Sequence, residues 1–66
     1  MSYEIDTAAR YRAHADELRA IADWDRLVEN RRRLLGVAQS YEQMAITMEA
    51  IGETNRRVGR LWQLGR

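Results

Sequence analysis

Few side chains in this sequence have both the type and the spacing that catalysis or metal binding requires. The single histidine, His14, is followed one helical turn later by Glu17, which is the reverse of the Glu-x-x-His motif of di-iron bundles. The other close acidic pairs are Asp16 with Glu17 and Asp23 with Asp25. General acid–base catalysis needs a pocket that shifts the pKa of such groups, and a short helical chain has little room for one. We interpret the acids as surface and capping groups, and His14 as a surface or interface residue.

Composition limits the chemistry further. The sequence contains no cysteine and one histidine, which excludes disulfides, thiolate metal sites and a multi-histidine site within one chain. It also has no nucleophile–base pair and no glycine-rich phosphate loop. We therefore expect no cofactor, no metal and no enzymatic activity of this chain by itself.

The densest basic run is Arg31-Arg32-Arg33, and all eleven basic residues of the chain are arginines. In a helix, Arg31 falls on the packing seam, whereas Arg32 and Arg33 point outward. One interpretation is a solvated face, with Glu29 pairing with Arg33 four residues later. The alternative is a dimeric hairpin that binds RNA, in which the arginine clusters contact phosphates.

Charge is distributed unevenly along the chain. Residues 1–25 carry −3, residues 26–53 carry 0 and residues 54–66 carry +4, which together give the net charge of +1. We interpret residues 53–66 as a basic amphipathic tail or short helix. Because Trp and Arg dominate binding hot spots, the tail supplies candidate partner-binding residues. These are Arg56, Arg57, Arg60, Leu61 and Trp62. Trp62 either folds back over the second helix or anchors a partner, and weak contact with an anionic membrane surface is a further alternative.

A hydrophobic pattern of helical period surrounds these groups. From about residue 4 to residue 22, apolar residues recur at alternating spacings of three and four, as on one face of an amphipathic helix. They are Ala8, Tyr11, Ala15, Leu18 and Ala22. Ser2 or Asp6 is a candidate N-cap. Beyond Ala22 the same face meets only charged residues while a different apolar face begins. A turn is therefore predicted near Asp23-Trp24-Asp25, with Asp23 or Asp25 capping the next helix.

The second helix is predicted from about residue 25 to residue 51, with Gly52 as its C-terminal stop. It is longer than the first helix by roughly two turns. An antiparallel hairpin with such unequal arms leaves apolar surface of the longer arm uncovered. The fold prediction is thus all-α, with a helical hairpin in residues 1–52 followed by the tail.

A chain of 66 residues buries too little apolar surface to build a stable core alone. Because disulfides and metals are excluded, we predict that the hairpin dimerises into a four-helix bundle or binds a larger protein. The shared core would contain Tyr11, Leu18, Leu34, Val37, Tyr41, Met44 and Met48. Among them Tyr41, Met44 and Met48 form a pliable apolar patch suited to protein docking.

Two segments resemble a recurring group of short, uncharacterised proteobacterial proteins. Residues 11–19 have the pattern Tyr-x3-Ala-x2-Leu-Arg, and residues 34–45 have the pattern Leu-Leu-x2-Ala-x2-Tyr-Glu-x-Met-Ala. The resemblance implies a helical hairpin and no established activity. It does not extend to the tail, and the Asp23-Trp24-Asp25 turn departs from the Asp-plus-Pro turns of the group.

The sequence predicts a small, non-catalytic protein–protein interaction module, an accessory or regulatory subunit. No stretch approaches the roughly 20 apolar residues needed to span a bilayer. The N-terminal residues are acidic and polar, unlike a signal peptide. We therefore expect a cytoplasmic location.

Overall fold

Two helices of unequal length make up the computed structural model, which describes residues 3–64. Helix α1 comprises Tyr3–Trp24 and helix α2 comprises Val28–Leu64. The helices are antiparallel, since Arg12 of α1 contacts Glu49 of α2 whereas the later Arg19 contacts the earlier Glu42. The described residues form an antiparallel hairpin of 60 × 17 × 10 Å. The all-helical hairpin prediction is confirmed. Ser2, one candidate N-cap, and the last two residues of the predicted tail lie outside the described residues.

The turn between the helices is organised by Asp25. Its backbone N–H donates to the carbonyl oxygen of Ala22 at 3.2 Å and so ends α1. Its carboxylate accepts the backbone N–H of Leu27 at 2.9 Å, and the Leu27 carbonyl accepts the first hydrogen bond of α2 from Arg31 at 3.0 Å. An aspartate that accepts a free N–H at a helix start is a favourable cap. The predicted turn is therefore displaced only slightly, because Asp23 and Trp24 still belong to α1.

The predicted end of the second helix at residue 51 is wrong. Helix α2 continues through Gly52 to Leu64, so the segment after Gly52 is a continuation of α2 and not a separate third helix. A glycine that stops a helix adopts a positive φ, and no described glycine does so. Gly52 is instead buried within the helix. Its missing side chain serves close packing, not a change of backbone direction.

Small residues form the centre of the hairpin. The buried residues of α1 are Ala8, Ala15 and Ala22, and those of α2 are Ala38, Ala45 and Gly52. Each set recurs every seven residues, which keeps it on one side of a helix packed in coiled-coil fashion. We call these two sets the alanine rows. Because their side chains are so small, the helix backbones approach closely, and no described side chain larger than alanine is fully buried.

Larger residues line the seam beside the alanine rows without being enclosed. They are Tyr11 and Leu18 on α1, with Leu34, Tyr41 and Met48 on α2, and each is partly exposed. The Tyr11 and Tyr41 rings lie 5.9 Å apart between centroids. Val37 and Met44, predicted for the same core, are exposed. The wide apolar face of α2 is thus divided, and only part of it meets α1.

Candidate interaction surfaces

One long edge of the hairpin is closed by ion pairs between the helices. Arg12 contacts Glu49 at 2.8 Å and Glu42 at 3.9 Å. Arg19 contacts Glu42 at 3.2 Å and also Asp16 of its own helix at 3.2 Å. We call Arg12, Arg19, Glu42 and Glu49 the charged edge. Its charges are matched within the chain, so it offers little unsatisfied charge to a partner.

Electrostatics within the charged edge favour the ionised forms. The hydrogen bond from Arg12 lowers the pKa of Glu49, and the same bond raises the pKa of Arg12. Both side chains are exposed to solvent, where screening keeps ion pairs weak. The edge therefore joins the two helices but adds little to their stability.

The opposite edge is apolar. Val37, Met44, Ile51 and Val58 follow one another at seven-residue spacing along α2, and we call them the apolar stripe. Their exposed fractions lie between 39% and 47%. Each stripe residue comes one position before a residue of the buried row of α2, which places it about 100° to one side of that row. Glu42 and Glu49 come four positions after residues of the row, which places them about 40° to its other side. The stripe is therefore directed away from the ion pairs.

Helix α1 contributes a second row to this apolar edge. Thr7, His14 and Ile21 have the same seven-residue spacing, each one position before a buried alanine. The His14 ring lies 5.3 Å from the Tyr41 ring, and its Nδ1 is 3.8 Å from a Glu17 oxygen. Neither row of this edge contains an acid or an arginine. His14 thus belongs to a helix–helix contact at the edge, in agreement with its interpretation as a surface or interface residue.

Hydroxyl side chains border the apolar stripe without adding free polarity. Ser40, Thr47 and Thr54 each donate to the carbonyl oxygen four residues earlier in α2, at 3.0 to 3.2 Å. Thr47 and Thr54 also line a shallow depression whose rims include Ile51 on the side of the stripe and Ile46 on the far side, together with Ala50 and Asn55. Because their hydroxyl groups already have partners, covering them removes no unpaired donor from water. This border is suited to contact with another helix.

The predicted partner-binding residues of α2 are neighbours along the helix but differ in how far α1 covers them. Tyr41 and Met48 lie in the seam, partly covered by α1, whereas Met44 belongs to the exposed apolar stripe. Sequence periodicity grouped them because all three fall on the same broad apolar face. The stripe itself was missed, and its signal was the seven-residue spacing of its members.

We call residues 56–64 the overhang, because they follow Asn55, whose Nδ2 donates to Glu4 Oε1 in the first turn of α1 at 3.0 Å. Arg56 and Arg57 both contact Glu53, at 2.8 and 3.5 Å, and the hydrogen bond from Arg56 lowers the pKa of that carboxyl. Trp62 is 71% exposed. It does not fold back over α2, because it is part of α2. The predicted tail residues therefore lie together on a helix end that α1 does not cover.

The arginine run near the start of α2 is fully available to solvent. Arg31, Arg32 and Arg33 are exposed, and within residues 3–64 none of them forms an ion pair. The predicted pair of Glu29 with Arg33 is therefore absent from this part of the chain. The run and the arginines of the overhang occupy opposite ends of α2.

A further exposed aromatic residue lies at the turn. Trp24 is 88% exposed, and Leu27 and Val28 beside it are also exposed. The sequence placed Trp24 in the turn but did not identify it as part of a surface. Its neighbours Asp23 and Asp25 give this end of the hairpin acidic groups next to apolar ones.

Comparison with known proteins finds no match. No protein-family model, no curated protein and no solved structure matches the chain. The resemblance to a proteobacterial group thus stays a prediction. Neither described helix contains a segment long and apolar enough to cross a membrane. The part of the chain from residue 3 to residue 64 also holds no group of three or more side chains arranged to bind a metal ion.

Proposed function

We propose that this chain is a non-catalytic protein–protein interaction module whose hairpin is completed to a helical bundle by a second copy or by a larger protein. One observation carries the proposal. All fully buried side chains in the described residues are small, whereas large apolar side chains on α2 are exposed at regular spacing. Burying these side chains against another protein removes apolar surface from water, which is the main driving force of association.

Magnitudes support an intermolecular core. At about 0.8 kcal/mol per buried carbon, the methyl groups of five buried alanines contribute about 4 kcal/mol in all. Full burial of an aliphatic side chain contributes about 1.5–3 kcal/mol, and the four residues of the apolar stripe are nearly half exposed. Covering them would add roughly 3–6 kcal/mol per copy. The surface left open is thus worth about as much as the centre of the hairpin.

The overhang is proposed to make the partner-specific contact. It combines three arginines with Leu61 and Trp62, all exposed on one helix end. Trp and Arg supply large contact area and charge-assisted hydrogen bonds, and they are enriched at interface hot spots. This role distinguishes the overhang from the apolar stripe, which would supply the general hydrophobic contact.

Sedimentation equilibrium of the full chain tests the proposal, from ~1 μM to ~1 mM, the range in which weak association is measurable. We expect a concentration-dependent dimer, or a stable complex with a protein that co-purifies from the native cell. A folded monomer throughout that range, with no co-purifying protein, would refute the proposal. Circular dichroism of the same samples shows whether the chain is helical when monomeric.

A second candidate function is RNA binding by a dimeric hairpin. It is favoured by the exposure of Arg31, Arg32 and Arg33 without ion-pair partners in the described residues. Phosphate contacts give affinity that falls steeply with salt. Binding of labelled single- and double-stranded RNA is therefore measured at ~50 mM and ~200 mM salt. Absence of binding at the lower concentration eliminates this candidate.

A further inference from the structure

We propose that the partner is a second copy of this chain, bound through the apolar edge with α2 antiparallel to α2 and the two turns at opposite ends. This inference rests on the proposed function and specifies its partner, its surface and its geometry. Three features of the structure carry it, namely the difference between the two edges, the position of the apolar stripe on α2, and the length of the overhang.

The difference between the edges selects the surface. The charged edge is occupied by its own ion pairs, with Arg12 held by Glu49 and Arg19 by Glu42. The apolar edge has no charge in either of its rows. On α2, a contact there desolvates aliphatic side chains and already bonded hydroxyl groups, and on α1 it also covers the polar side chains of Thr7 and His14. A contact at the charged edge would instead desolvate ion pairs, which is more costly.

The position of the stripe selects the antiparallel arrangement. Its midpoint falls between Met44 and Ile51, within two residues of Ile46, the midpoint of α2 (Val28–Leu64). A two-fold axis through that midpoint pairs Met44 with Ile51 of the second copy and Val37 with its Val58. All four stripe residues of each copy are then covered at once, and the two α2 helices overlap along almost their whole length. Such an isologous contact is the usual form of a two-fold dimer.

The overhang excludes the arrangement with both turns at the same end. There α2 would pack on α1 of the second copy, which has 22 residues against the 37 of α2. The overhang would stay bare, because the shorter α1 of the second copy does not reach it. In the antiparallel arrangement, counting outward from the shared midpoint, residues 56–64 of one copy lie along residues 31–39 of the other.

The charges at the two ends make a testable contribution in this arrangement. The overhang of one copy contains three arginines and lies along the segment of the other copy that contains Arg31, Arg32 and Arg33. Two of the overhang arginines, Arg56 and Arg57, are already paired with Glu53 of their own helix. The remaining repulsion opposes the contact, so added salt is expected to strengthen the dimer.

Spin-label distances measure this geometry, because the chain has no cysteine and single cysteines are labelled cleanly. Three variants of the full chain are compared, namely Thr47→Cys, Ile46→Cys and Gln63→Cys. Thr47 lies next to the two-fold axis on the apolar side, whereas Ile46 has the same height but points away. At 1.5 Å per residue, the two Gln63 positions are expected about 45 Å apart.

The result expected is a short distance for the label at Thr47, a longer one for its matched control at Ile46, and about 45 Å for the label at Gln63. A distance below ~25 Å at Gln63 would mean that the turns lie at the same end, because the two Gln63 positions would then have the same height along the bundle, with no rise of 1.5 Å per residue between them. A shorter distance at Ile46 than at Thr47 would assign the contact to the charged side. Either result overturns this inference and leaves the interaction module intact. A monomer by sedimentation overturns the second copy as partner, and the proposed function then depends on a co-purifying protein.

Discussion

Substitution of the two isoleucines that face opposite sides of α2 separates association from folding. Ile51 belongs to the apolar stripe and Ile46 lies on the other side of the helix, and their exposed fractions are similar, 43% and 50%. The variants Ile51→Glu and Ile46→Glu introduce the same charge into the same helix. In a monomer each surface substitution usually stays within about 0.5 kcal/mol. Ile46→Glu adds about 0.2–0.5 kcal/mol of repulsion from each of Glu42 and Glu49, which lie one turn away, so folding of both variants is measured separately from association.

In the dimer the two substitutions have different effects on Kd. Full burial of an isoleucine contributes about 1.5–3 kcal/mol, so covering the exposed part of Ile51 is worth about 1 kcal/mol per copy and about 2 kcal/mol per dimer. A glutamate at that position must also lose water without gaining a partner, which adds to the loss. Since about 1.4 kcal/mol corresponds to a tenfold change in Kd, Ile51→Glu is expected to raise the dimer Kd by at least ~30-fold.

Sedimentation equilibrium gives the Kd of each variant, and circular dichroism at low concentration confirms equal helix content. Ile46→Glu is expected to change the Kd less than ~5-fold, because about 0.5 kcal/mol per copy amounts to about 1 kcal/mol per dimer. If the two variants weaken the dimer equally, the apolar stripe has no special role and the reasoning from the two edges is refuted. A larger effect at Ile46 would move the contact to the other side of α2.

Three further predictions concern the hairpin itself. Ala15→Leu places a large side chain where exposure is 0%, so it should destabilise the fold by about 1–3 kcal/mol in thermal unfolding. Ala20 is exposed, and Ala20→Leu should leave the stability nearly unchanged. Equal thermal midpoints for the two variants would contradict the packing described for the alanine rows. Gly36→Ala should raise the thermal midpoint of the chain, because alanine favours a helix by about 1 kcal/mol and a Cβ there would meet no atom within 4 Å. A lowered midpoint would show that the glycine has a structural role at this position. Glu49 has a lowered pKa because it accepts a hydrogen bond from Arg12. Its contribution to stability is therefore present above the ordinary carboxyl range and is lost as the pH falls through the lowered pKa. Glu49→Gln should make acid unfolding slightly less steep, and an unchanged pH profile would show that the exposed pair contributes nothing.

Ion pairing and apolar exposure are divided between opposite edges of the hairpin, and this division has a structural consequence. Packing of the alanine rows directs one side of each helix to its neighbour, which brings pairs such as Arg12 with Glu49 together on one edge. The rows on the other edge cannot then turn inward, because each helix directs only one side to its neighbour. The exposed stripe therefore results from the same packing that buries the alanine rows.

Local signals in the sequence were sufficient for the helices and the turn. A change in the phase of the apolar pattern located the turn within two residues. The Asp25 carboxylate accepts the Leu27 N–H at the start of α2, as its side chain predicted. Gly52 was misassigned because a glycine after a periodic segment is as typical of a helix end as of a close helix contact. The sequence around it does not distinguish the two, since the deciding factor is the helix that lies opposite.

The amino-acid sequence by itself determined two helices, their antiparallel connection, the unequal lengths of the arms and the concentration of arginine at the end of the chain. Only the tertiary structure decided which side of the broad apolar face of α2 meets α1. Helices joined by a short turn pack closest where their side chains are smallest, so Ala38 and Ala45 became buried while Val37 and Met44 stayed in solvent. That choice depends on the shape of both helices together, and it leaves a regular apolar stripe for another protein to cover.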